Sequence, residues 1–242
     1  MLTFTFAYDF VVSVVRALDD TDHFRDFLSS SERELVHKMA RPHRVTLLHD
    51  FVRSVNEFEY DYLTGKWDEE QAPHFRQLLE SAGLTAPTWL ADGGLPPDQK
   101  SIYSLDELVR RATPLFTDAA FHVLFADRGF LHRFQRRIAD EVRSTRHDEY
   151  PSLFRALGRL KRVALPPWAR NAVASRDRCC QECLRVLWTD GISMSDLRFD
   201  HMVPLALGGS NDPTNFQLLC ANCNADKSAS QRFKRNATHT WW

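Results

Sequence analysis

Apolar residues in the first 160 positions recur mostly at helical spacing. Phe10, Val11, Val14, Val15 and Leu18 fall three and four apart and would share one helix face. Ser31 to Glu34 and Ser104 to Glu107 each have the Ser-x-x-Glu form of a capping box, which predicts helix starts at both places. Phe121, Leu124 and Phe125, followed by Leu131, Phe134, Ile138 and Val142, predict a long helix interrupted near Gly129. Between residues 85 and 100 the run APTWLADGGLPPDQ is rich in Pro, Gly and Asp and reads as a loop.

The pattern changes after KRVALPPWAR, residues 161–170. Pro166 and Pro167 interrupt the helical period, and Pro167 is placed to begin a short helix through Arg176. Leu197, Phe199, His201 and Val203 then alternate with Arg198, Asp200 and Met202, as in a strand ended by Pro204. Gly208 to Pro213 is a turn cluster, Phe216 to Leu219 is a second strand, and Asn224 to Phe233 has the composition of a short amphipathic helix. The expected organisation is an α-helical domain over 1–163 and a small α+β domain over 164–242. Strand alternation sends Asp200 and His201 to opposite faces, so both serve one site only if the strand twists, bulges or ends there.

Composition adds a difference between the two parts. The chain has 242 residues and a net charge of −1, but residues 1–160 balance to −5 and residues 161–242 to +4. The basic C-terminal part suits a phosphate-bearing partner, and the acidic helical part suits a protein one. The apolar start is broken by Asp9 and lacks a basic leader, and no apolar run approaches membrane-spanning length. A cytoplasmic protein without membrane association is therefore expected.

Four of the five cysteines form two Cys-x-x-Cys pairs, Cys180 with Cys183 and Cys220 with Cys223. Two such knuckles supply the four thiolates of a closed tetrahedral zinc site, with no position left for catalysis. Cys179 is surplus and reads as a small buried hydrophobe. The 36 residues between the pairs make a long loop, and that loop holds Asp200 and His201.

Taken together, Asp200-His201, Asn215 and Cys220-x-x-Cys223-Asn224-x-x-Lys227, with the lead-in Val173-x-x-Arg176-Asp177, resemble the HNH or ββα-metal nucleases, in their zinc-bearing branch. The resemblance spans about residues 166–235. It implies a small ββα-metal fold with a structural zinc site of four cysteines. His201 would be the general base toward water, a task suited to a neutral imidazole near pH 7. Asp200 and Asn224 would hold a catalytic Mg2+ or Mn2+ through hard oxygens. Asn215 would hold the inter-strand loop under His201, and Lys227 would meet a phosphate. Arg232, Lys234 and Arg235 would extend a nucleic-acid-binding surface. Many members carry His where this chain has Asn224, which shifts the expected preference toward harder ions.

The function so implied is metal-dependent hydrolysis of phosphodiester bonds in DNA, by an effector of bacterial restriction or anti-phage defence. One site cuts one strand; double-strand cleavage requires a homodimer or two successive nicks. Two other readings fit the same residues: a zinc-stabilised nucleic-acid-binding module without hydrolysis, and a nuclease subunit active only within a larger complex.

Overall fold

The computed structural model describes residues 4–29, 32–65, 69–91, 96–187 and 197–230. Arg232, Lys234 and Arg235 lie outside them, as does Ser31 of the first capping box. Packing divides the chain into two units, Met1–Ser29 with Leu48–Leu124, and Ser30–Leu47 with Phe125–Trp242. A division at 163/164 is therefore not the one that packing makes: residues 125–163 and a segment from the helical part belong with the C-terminal residues.

The first unit is helical. It contains α1 (Phe4–Asp19) and α2 (Thr21–Ser29), and, beyond α3 (Glu32–Ala40) of the second unit, α4 (Leu47–Gly65), α5 (Ala72–Ser81), α6 (Thr88–Ala91) and α7 (Gln99–Ala126). Phe10, Val14 and Leu18 are buried along α1, as their spacing requires. Phe24 and Phe27 of α2 close on Phe51 of α4, with ring centroids 5.4 and 5.2 Å away. Helix α7 starts five residues before Ser104, because Asp98 caps it first: its carboxylate accepts from the Ser101 amide and hydroxyl at 2.8 and 2.7 Å.

The second unit carries α3 and α8 (Arg128–Ser144), a hairpin of β1 (Phe154–Ala156) and β2 (Arg159–Leu160), then α9 (Pro167–Asp177), β3 (Arg198–His201), β4 (Phe216–Leu219) and α10 (Ala221–Ser230). The break before α8 falls at Asp127, whose side chain accepts from the Phe130 amide at 2.9 Å; Gly129 is already helical. Phe130, Leu131, Phe134, Ile138 and Val142 form the buried face of α8. Helix α9 begins at Pro167 as expected and ends at Asp177, capped by Arg178, which is left-handed at φ 56°. Strands β3 and β4 pair antiparallel, Asp200 opposite Gln217 and His201 opposite Phe216.

From Gly208 to Asn215 the segment joining β3 to β4 is buried rather than displayed. Ser210, Asn211, Asp212, Thr214 and Asn215 are each 0% exposed. Gly208 and Gly209 make this path passable. Gly208 sits at φ +86°, and a Cβ on Gly209 would lie 1.8 Å from the Val203 carbonyl oxygen.

Candidate active site and metal centre

The zinc knuckles are built first by backbone. The Cys180 amide donates to the Arg185 carbonyl at 2.8 Å, and Leu184 takes a left-handed turn at φ 61° to close the first knuckle. The Gln181 amide donates to Leu218 of β4 at 2.9 Å, which lays that knuckle along the strand preceding the second. The four sulfurs of Cys180, Cys183, Cys220 and Cys223 lie within 4.8 Å of one another, with Cys183 and Cys220 at 4.0 Å. A tetrahedral site with Zn–S bonds of about 2.3 Å has sulfur–sulfur edges of about 3.8 Å, so the donor set fits one zinc ion. Burial opposes ionisation of Cys180, but the amides of Cys183, Cys220 and Glu182 outweigh it and bring the thiol down to about 7. Burial and the neighbouring sulfurs push Cys223 the other way. Cys179 is apart from the four: it lies opposite Val186 in an isolated antiparallel bridge whose hydrogen bonds are made by the flanking residues, and burial raises its thiol.

Asp177 braces this centre against β4. Its side chain is 0% exposed and pairs with Arg176 at 2.6 Å; it also accepts from the Leu218 amide at 2.7 Å. Arg176 in turn donates to the Phe216 carbonyl at 2.6 Å.

The strand residues meet different neighbours. Asp200 faces α10, where the Lys227 ammonium donates to its carboxylate; the same ammonium donates to the His201 carbonyl at 2.6 Å. The His201 ring, 1% exposed, turns toward the buried loop, 4.3 Å from the Phe216 ring and 3.2 Å from Asn211 Oδ1. Asn215 holds the loop closed: its amide oxygen accepts from the Val203 amide at 2.9 Å. Its amide nitrogen donates to the Val203 and Ser210 carbonyls at 3.0 and 2.8 Å. Two strands, a buried loop clamped by an Asn, and a helix opening from the second zinc knuckle make one ββα arrangement.

Residues 180–230 match the family model for HNH endonuclease. The C-terminal region carries an HNH endonuclease domain. No curated protein and no solved structure matches the chain.

Within the HNH domain the side chains of Asp200 and His201 do leave β3 toward different partners, as alternation requires. The strand ends at His201 and Lys227 spans the end, touching Asp200 by its side chain and His201 by its backbone. Asn224 stands in the first turns of α10, half-buried, its amide donating to the Cys220 carbonyl at 3.0 Å. Burial lowers His201 to about 4, with the Asn211 contact acting in the opposite direction, so the ring is neutral at pH 7.

Three residues of this arrangement escape a reading by motif. Asn211 contacts the His201 ring, Asp212 accepts from the Leu47 amide at 2.9 Å, and Gln135 of α8 bonds Ser210 and Thr214 at 2.7 Å each. Apart from His201, their partners are far away in sequence, and the loop composition alone suggests a solvated turn. The available signal was the density of side-chain donors and acceptors in Ser-Asn-Asp-Pro-Thr-Asn, more than a simple turn needs.

Proposed function

We propose that the protein is a metal-dependent endonuclease that hydrolyses phosphodiester bonds in DNA, with His201 as the base. The observation carrying this reading is the ring environment of His201, neutral at pH 7 with Nδ1 unpartnered among the described residues. Such a nitrogen can accept a proton from a water directed at phosphorus. In this structure it is closed from solvent, so the reaction requires an opening at that atom.

The carboxylate of Asp200 already receives one cation, the Lys227 ammonium, and it is a hard oxygen donor suited to Mg2+ or Mn2+. Asp200 and Asn224 are the residues that would hold such an ion. When bound, a divalent ion of this kind stabilises charge on the phosphate and on the departing oxygen. Lys227, released from Asp200, would meet a phosphate oxygen, and Arg232, Lys234 and Arg235 would follow the strand. Asn215 keeps the loop shut beneath His201 and touches no substrate. The four cysteines hold structural zinc and set the start of α10.

A role as effector of bacterial restriction or anti-phage defence, acting alone, as a homodimer or with a protein bound to the acidic helical part, extends this reading. The 1% exposure of His201 favours one competing reading, a zinc-stabilised nucleic-acid-binding module that does not hydrolyse. Supercoiled DNA and single-stranded RNA incubated with Mg2+ or Mn2+ separate them. Metal-dependent nicking of DNA supports the nuclease; retention of DNA without cleavage under every metal condition supports the binding module.

A further inference from the structure

Asn211 is fully buried and its amide is fixed from one side. The side-chain nitrogen donates to the Ala40 carbonyl at 3.0 Å and the Lys161 carbonyl at 2.8 Å, and the backbone amide donates to the Met39 carbonyl at 2.7 Å. Rotating the amide by half a turn would set its oxygen against two carbonyl oxygens and strand both without a donor. The oxygen is therefore the atom that faces Nε2 of His201, at 3.2 Å. An amide oxygen only accepts, so Nε2 must carry the ring proton. The lone pair is left on Nδ1, which has no hydrogen-bond partner among the described residues. The Phe216 ring packs against the imidazole, with ring centroids 4.3 Å apart.

We infer that Asn211 is a positioning residue that fixes His201 in its Nε2–H tautomer, and that the carbonyls of Ala40 and Lys161 are part of the same device. Both carbonyls lie outside residues 180–230, the segment matched as the HNH domain. The catalytic unit therefore extends back into residues 39–47, which are tied to the loop a second time by the Leu47 amide on Asp212 at 2.9 Å. The catalytic part of this inference rests on His201 being the base; the tautomer does not.

A polar cross-link could hold the loop without selecting a tautomer. Gln135 is such a link, buried and bonded to Ser210 and Thr214 at 2.7 Å each, with no hydrogen bond to His201. This gives the control. Imidazole 15N chemical shifts of His201 would be recorded at pH 7.5 in the full chain with zinc bound, for wild type, Asn211→Ala, Asn211→Asp and Gln135→Ala. The expected wild-type spectrum shows protonated Nε2 and unprotonated Nδ1. Asn211→Ala should show both tautomers in exchange and a nicking rate lower by about ten- to a hundredfold, with DNA affinity nearly unchanged. Asn211→Asp keeps an oxygen toward Nε2 and should hold the tautomer, while its second oxygen faces the Ala40 and Lys161 carbonyls and should cost stability. Gln135→Ala should lose stability yet leave the tautomer unchanged. A wild-type spectrum with the proton on Nδ1, or an Asn211→Ala spectrum identical to wild type, overturns the inference. Should Asn211→Ala fail to fold, the wild-type and Asn211→Asp spectra still decide it. Should the protein nick nothing, the nuclease reading falls while the spectra still report whether Asn211 sets the tautomer.

Discussion

Replacing Asp177 by Ala removes the carboxylate that ties α9 to β4. That carboxylate is 0% exposed; it pairs with an Arg176 side chain only 4% exposed and accepts from the Leu218 amide at 2.7 Å. Breaking a buried ion pair by deleting one partner costs about 3–5 kcal/mol, because the remaining charge is stranded. The orphaned Leu218 amide adds about 1–3 kcal/mol, and since the two losses share one site the expected total is about 4–6 kcal/mol. That is comparable with the whole stability of a small domain, about 5–15 kcal/mol. Asp177→Asn keeps an acceptor for Leu218 and should lose about half as much. Arg176→Met combined with Asp177→Leu removes both charges and should recover much of the ion-pair part of the loss, but not the Leu218 amide, and it gives up about 1 kcal/mol more for the Phe216 carbonyl that Arg176 also serves. Urea titration followed by far-ultraviolet circular dichroism, with zinc release read by a chromophoric chelator in the same samples, measures each variant. A loss below about 1 kcal/mol for Asp177→Ala would refute the brace, since no buried pair of this geometry is that cheap to break.

Further outcomes follow from other parts of the second unit and one control in the first. Gly209→Ala should cost about 3 kcal/mol or more, because its Cβ would fall 1.8 Å from a backbone oxygen. Gly83→Ala, at φ +69° with nothing within 4 Å, should cost only about 1–2 kcal/mol in thermal melts. His201 has a folded value near 4 against an ordinary 6.5, so the unfolded chain binds the extra proton between those values. Its contribution is complete above pH 6.5 and is lost as pH falls toward 4, up to about 3 kcal/mol, a slope that His201→Ala should remove from urea midpoints. Metal analysis should find one zinc per chain, retained in Cys179→Ser and lost in Cys220→Ser, and chelation should unfold the segment around both knuckles.

What could be read from the chain differs between local and distant interactions. The extents of α9 and β4 were visible because Pro167 and the apolar run from Phe216 act within their own segments. The zinc set was visible because two short knuckles bring their sulfurs together whatever surrounds them. The start of α7 was misplaced at Ser104 because Asp98 offers an earlier cap, and two capping signals in one segment compete. The buried loop was harder. Ser210 to Asn215 has turn composition, and the carbonyls of Met39, Ala40 and Lys161, the Leu47 amide and the side chain of Gln135 turn it into core. Those partners lie 50 to 172 residues away, where no local period reaches them. Asn211 carries no local signal for that reason, and the division of the chain by packing follows from the same long-range ties.

Supercoiled plasmid should be incubated with purified full-length protein and Mg2+ or Mn2+, beside His201→Ala matched for zinc content and thermal stability. The expected result is metal-dependent conversion to nicked or linear DNA by the wild type and its loss by about 100-fold or more in the variant, the scale of general-base catalysis. Equal cleavage by both proteins would contradict the assignment of His201 as the base.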